Sequence, residues 1–311
     1  MKEIGKILLY LLAVVVIGAL IAPPLYWLGQ AALHYGTRHG MVAFHDEHGQ
    51  AVATGALAFL SQKFRRYFDR AILVAACALL WPLARSLKIG SWNDLGLQRD
   101  PAWRWHFAFG LLVSIASVAG LCAVAVGFGH YSFVQPIPWG KIALLPLSAL
   151  VVAGIEESLF RGAIQGAVRR AGSDVAAIIF VSALYAVVHF LKPPENAAPP
   201  MQITWGSGFA QALLALRQFG ELRLVFGGLV TLFMVGVILG YARTRTRSLW
   251  MPVGLHSGWI IAKMGFNKIA HSRGEAWPWF GPDLLTGLAS VLAVLAAGLV
   301  VWWRLRRSGL K

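Results

Sequence analysis

Charge is scarce in this 311-residue chain: Asp, Glu, Lys and Arg make up 13% of it, about half the share a soluble domain carries. A water-exposed enzyme of this length needs a far more polar surface, so that class is excluded. With 58% hydrophobic residues and a mean hydropathy of +0.64, a disordered or collagen-like chain is excluded too. Cysteine is scarcer still, and the two present, Cys77 and Cys122, lie inside apolar runs, which rules out a disulfide framework. Acids number only 13 against 28 Lys and Arg, for a net charge of +15. That surplus does not point to nucleic acid, because the cations are scattered over nearly every connecting segment and both ends, without a basic aromatic face or a nucleic-acid motif. Cations flanking apolar runs are what a chain needs where it leaves a bilayer and meets anionic headgroups.

What the sequence has in abundance is apolar runs. Crossing a hydrocarbon core takes about 20 apolar residues. Eight stretches answer to this, at about 7–27, 71–87, 107–128, 142–168, 175–191, 224–242, 249–266 and 284–303. The expectation is an all-α, polytopic integral membrane protein with about eight transmembrane helices, a single helical membrane domain over 1–311. Residues 29–66 are expected as an extramembrane loop, with an apolar patch at 51–60 lying at the interface. The first run carries Pro23-Pro24 near its end and has no small-residue cleavage site, so it reads as a retained anchor. In the sixth run Gly236 and Gly240 stand four apart, a spacing that lets helix backbones approach closely in lipid. The lipid bilayer is thus the first partner, and a multi-pass place in a bacterial inner membrane is the expected location.

Eleven of the 13 acids fall in loops or at run edges; Glu156 and Glu157 do not. A charge at mid-bilayer costs ~2.5 kcal/mol or more, so such residues are rare and face a partner or a cavity. Arg161 lies four residues after Glu157, on the same helix face, and is its natural partner. Glu156 is rotated about 100° away and is left to be explained. Two histidines, His189 and His256, also sit inside apolar runs. Three polar groups on three apolar helices are most economically satisfied by converging. Such a site has two chemical readings. Glu156 can act as general base toward a water, with imidazoles supporting the oxyanion. Alternatively Glu156, His189 and His256 can hold zinc with an open position for water. Both schemes hydrolyse a peptide bond.

At these residues the sequence resembles the intramembrane CAAX-prenyl-protease and bacteriocin-processing family, in its type II CAAX endopeptidase branch. Its E-E-x-x-x-R motif is met by Glu156, Glu157 and Arg161. Its aromatic-x-x-x-His motif is met by Tyr185 and His189, with Tyr where Phe is commoner. Its third motif, His followed four residues later by Asn or Asp, is met only at His256, because position 260 is Ile. The resemblance covers about 144–266, which it marks as a catalytic core. It implies an eight-helix membrane protease in which Glu156 activates water, His189 and His256 complete the site, and Glu157 and Arg161 orient the first motif. It further implies a peptide or protein substrate, lipidated in one branch of the family. Two other classes stand beside this one: a non-catalytic binding or scaffold protein on the same fold, and an ion-coupled transporter using Glu156.

Overall fold

The structure, a computed structural model, describes residues 2–39, 44–45, 51–52, 60, 62–98, 100–190, 202–220, 222, 225–281 and 283–307. Helices dominate it. Two compact units are distinguished, one made of Ala84–Phe190 and Glu221–Lys311, the other of Lys2–Leu83 and Leu191–Gly220.

The second unit is built on α1 (Lys2–Arg38), which packs against α9 (Ser207–Leu216), and on α2 (Phe64–Ser86). Helix α1 buries Ile7, Tyr10, Val14, Gly18 and Ala22, the three-and-four spacing of a single helical face. Leu8, Leu9 and Leu12 are left exposed on the other side. Its charges suit the helix dipole, with Glu3 in the first turn and Arg38 in the last. The expected 29–66 loop therefore gives its first residues to α1. Beyond it, β1 (Phe44–His45) pairs antiparallel with β2 (Ala51–Val52). Residues 53–59 of the expected interfacial patch lie outside the described residues.

The first unit carries α3 (Trp92–Leu95), α4 (Trp103–Gly127), α5 (Trp139–Ala143), α6 (Leu145–Glu157), α7 (Gln165–Ala171) and α8 (Asp174–Phe190). Then come α10 (Val230–Thr246), α11 (Trp250–Ile269) and α12 (Leu288–Arg307). A short sheet pairs β3 (Tyr131–Phe133) with β4 (Ala270–Ser272). Its most intimate packing is α4 against α11. A Cβ on Gly254 or Gly258 of α11 would overlap Phe107 O and Ser114 Oγ of α4, and one on Gly110 would come within 2.6 Å of Met251 O. Gly236 of α10 is equally pressed against α8, where a Cβ would sit 2.8 Å from Ser182 Cα. This is the close approach that the Gly236–Gly240 spacing predicts.

Among the described residues, five helices are long and apolar enough to cross a membrane: Lys2–Arg38, Phe64–Ser86, Trp103–Gly127, Gly227–Thr246 and Leu288–Arg307. They answer to five of the eight expected runs. The other three are helical but fall short of a span. Run 142–168 is divided among α5, α6 and α7, with a widened turn between the last two. Helix α8 has 17 residues, and α11, though 20 residues long, carries His256, Lys263, Asn267 and Lys268. The protein is an all-α, multi-pass membrane protein, and the count of eight spans is not reproduced.

Candidate active site

The α6 helix begins with Pro146 in its first turn, where a missing N–H costs nothing, and runs to Glu157. From Ser158 to Ile164 the backbone then widens into a π-helical turn, its exit marked by Gln165 N–H bonding to Phe160 O, before α7 resumes. Ser158 donates to Gly154 O at 2.7 Å, sealing one side of this junction. The two glutamates therefore stand at the last regular turn before the distortion.

Their surroundings differ sharply. Glu157 has a side-chain exposure of 0%, as does Arg161, whose Nη1 donates to Glu157 Oε1 at 3.0 Å. That buried pair is the one the i,i+4 spacing predicts. Glu157 Oε1 also receives His256 Nδ1 from α11 at 2.8 Å. Arg161 reaches Gly236 O with Nη2 at 3.5 Å and lies 4.4 Å over the Tyr185 ring. Glu156 keeps 28% side-chain exposure, and its Oε2 lies 2.9 Å from His189 Nε2 of α8 and 3.7 Å from His256 Nε2. The expected convergence of Glu156, His189 and His256 is thus met in space. All three belong to the same unit.

Hydrogen-bond bookkeeping fixes where hydrogens sit. His189 Nδ1 is 3.0 Å from Tyr185 O, a carbonyl that can only accept, so Nδ1 carries a hydrogen. A neutral His189 then has only a lone pair at Nε2, and its 2.9 Å contact with a carboxylate oxygen requires one proton between the two. His256 Nδ1 likewise donates to Glu157, leaving Nε2 turned toward Glu156 and toward the Tyr185 hydroxyl at 3.4 Å.

Among the described residues, no group of three or more His, Cys, Asp or Glu side chains is arranged to hold a metal ion. Of the expected zinc set, His256 has its Nδ1 bound to Glu157, and Glu156 is in direct hydrogen-bonding contact with His189. A largely apolar cavity of about 710 Å³ lies elsewhere in the unit, between α4 and α12, and none of the site residues lines it.

Sequence reasoning passed over three features. In the sequence Tyr185 is only an aromatic of the second motif, yet its hydroxyl reaches His256 Nε2. Gln165 joins α7 to α10, donating to Gly240 O and Thr244 Oγ1, both at 3.0 Å. The recurrence of polar residues at 157, 161 and 165 signalled this continuing polar face. Gly254 and Gly258, four apart around His256, signalled the close packing of α11 that carries that histidine into place. Ile260, at the expected Asn or Asp position, brings no polar group, and the Trp259 indole nearby is used on Ser117 Oγ at 3.2 Å.

No curated protein and no solved structure matches the chain. A family match does exist: residues 138–262 match the family described as Type II CAAX prenyl endopeptidase Rce1-like. Over that stretch, which supplies every side chain of the cluster, the chain is similar to the CAAX prenyl protease family.

Proposed function

We propose that this protein is an intramembrane endopeptidase in which Glu156 activates water for attack on a peptide carbonyl. The observation that carries the reading is the 2.9 Å contact of Glu156 Oε2 with His189 Nε2, on the acid of the pair that is partly exposed, a contact that calls for one proton between them. With that proton on His189, Glu156 is a carboxylate. It takes a hydrogen from a water as the water oxygen bonds to the carbonyl carbon, and the carbonyl π pair moves to its oxygen. Collapse of that intermediate breaks the C–N bond, and the departing amine takes a proton from the Glu156–His189 pair. Water is consumed, one acid and one amine are released, and the pair ends with the proton count it began with.

Glu157 and Arg161 support this chemistry without entering it. Their buried ion pair holds His256 Nδ1, and through it the wall of the cleft facing Glu156. The family assignment favours a substrate cut near its C-terminus, beside a lipid-modified cysteine that holds the peptide at the bilayer, and we place the protein in a bacterial plasma membrane.

The test is mass spectrometry of products from protein reconstituted in liposomes, with a panel of isoprenylated C-terminal peptides and unmodified membrane peptides. Wild-type protein is expected to release a defined C-terminal fragment. Glu156→Gln is expected to slow release by about a hundredfold or more, while keeping its melting temperature. Cleavage by Glu156→Gln at the wild-type rate, or no cleavage of any peptide by wild type, overturns the reading.

A further inference from the structure

An oxyanion forming in this cleft needs a hydrogen-bond donor aimed at it. The histidine wall does not supply one in its neutral form. His256 has its hydrogen on Nδ1, committed to Glu157, so that Nε2 faces the cleft as a lone pair. His189 donates from Nδ1 to its own helix and meets Glu156 at Nε2. The position one helical turn beyond His256 is Ile260, which has no donor, and Trp259 spends its indole hydrogen on Ser117.

The remaining donor is a phenol. Tyr185 is 2% exposed, and its ring is held on three sides: by Arg161 over its face at 4.4 Å, by the edge-on ring of Phe160 at 5.3 Å and by His189 at 3.9 Å. Those contacts leave the ring no freedom to swing away, and its hydroxyl projects toward His256 Nε2 at 3.4 Å. This is long for a bond of this type, and the nitrogen it addresses is also the one standing 3.7 Å from Glu156 Oε2. A buried hydroxyl with a long, weak partner can transfer its hydrogen bond to an arriving oxygen at little cost, and such bonds commonly tighten only when substrate is bound. A phenol also stays protonated throughout the neutral range, so it donates without adding charge.

We infer that Tyr185 Oη is the oxyanion donor of this site, turning from His256 Nε2 to the substrate carbonyl oxygen as negative charge develops there. This assignment rests on the hydrolase reading above. The phenol keeps its proton throughout: the carbonyl oxygen gains the electron pair of its π bond on attack and returns it on collapse, with the hydrogen bond from Tyr185 strengthened in between.

Two measurements test it. The first compares wild type, Glu156→Gln and Tyr185→Phe in liposomes on whichever peptide of the panel wild type cleaves. Tyr185→Phe is expected to lower kcat by about a hundredfold or more, the usual effect of losing one oxyanion donor, with KM and melting temperature close to wild type. A kcat within twofold of wild type overturns the assignment, and if Glu156→Gln is inactive in the same experiment the hydrolase reading survives. An active Glu156→Gln sinks the reading instead. The second needs no substrate: the ¹⁵N resonance of His256 Nε2 is expected to move downfield in Tyr185→Phe, because a lone pair loses its donor. An unmoved resonance overturns the assignment whatever the peptide.

Discussion

At the scale of single residues, the cluster is governed by the cost of isolating a charge. Glu157 and Arg161 are fully enclosed, and each is the other's main compensation. Removing one leaves the other buried without its counter-charge, an effect of about 3–5 kcal/mol. Arg161→Ala is therefore expected to melt far below wild type in detergent, whereas a Glu157→Gln/Arg161→Met double variant should recover part of that loss; equal losses in the two would contradict the pairing. This pair was legible in the sequence because i,i+4 spacing on a helix leaves little choice. The nearness of Glu156, His189 and His256 was legible for a coarser reason, the need of buried polar groups for partners. Which histidine meets which glutamate was not legible. It depends on the rotation of α8 and α11 about their axes, and nothing local to Glu156 or Glu157 encodes that. The Tyr185 hydroxyl was hidden the same way, since an aromatic in an apolar run carries no sign of where its oxygen points.

At the scale of elements, glycines and one acid at a helix start set the frame. His256 lies between Gly254 and Gly258, whose bare backbones press on α4. Gly258→Ala is expected to cost about 1–3 kcal/mol through overpacking and to shift His256 out of reach of Glu157, which thermal melting and the His256 resonances will register together. The turn before α3 has its own device. Asp94 accepts hydrogen bonds from Gly90 N, Ser91 N and Ser91 Oγ, and the bond from Gly90 above all holds its carboxyl below the usual range. A carboxyl with a depressed folded-state pKa stabilises at any pH above its unfolded value, near 4, and the effect is lost only as pH falls through the lower folded value. Amide exchange at Gly90 and Ser91 should accordingly stay slow down to strongly acid pH in wild type and be fast already at pH 7 in Asp94→Ala. The long helices were readable from the length of their apolar runs. The π turn at Ser158–Ile164 was not, because its residues are ordinary helix formers apart from Gly162, and that glycine answers to a neighbour: a Cβ there would sit 3.0 Å from Leu95 O.

At the scale of the whole molecule, the exposed apolar side chains of α1, α4 and α12 belong against lipid. The two cysteines test this from opposite sides. Cys77 is exposed on α2, and Cys122 is buried on α4. In intact membranes a charged maleimide should label neither, an apolar maleimide should label Cys77 alone, and unfolding in detergent should expose both. Labelling of Cys77 by the charged reagent would place that face of α2 in water. The order of the chain adds a consequence for biosynthesis. His256 reaches Glu157 across 99 residues of sequence, whereas Arg161 reaches it across four. At a ribosome's pace of roughly 5–20 residues per second, the glutamate enters the bilayer some 5–20 s before its histidine is made. Throughout that interval the neighbouring arginine is the counter-ion on the same nascent helix, so the pair that later steadies the finished cleft first lets an acidic segment be accepted by lipid.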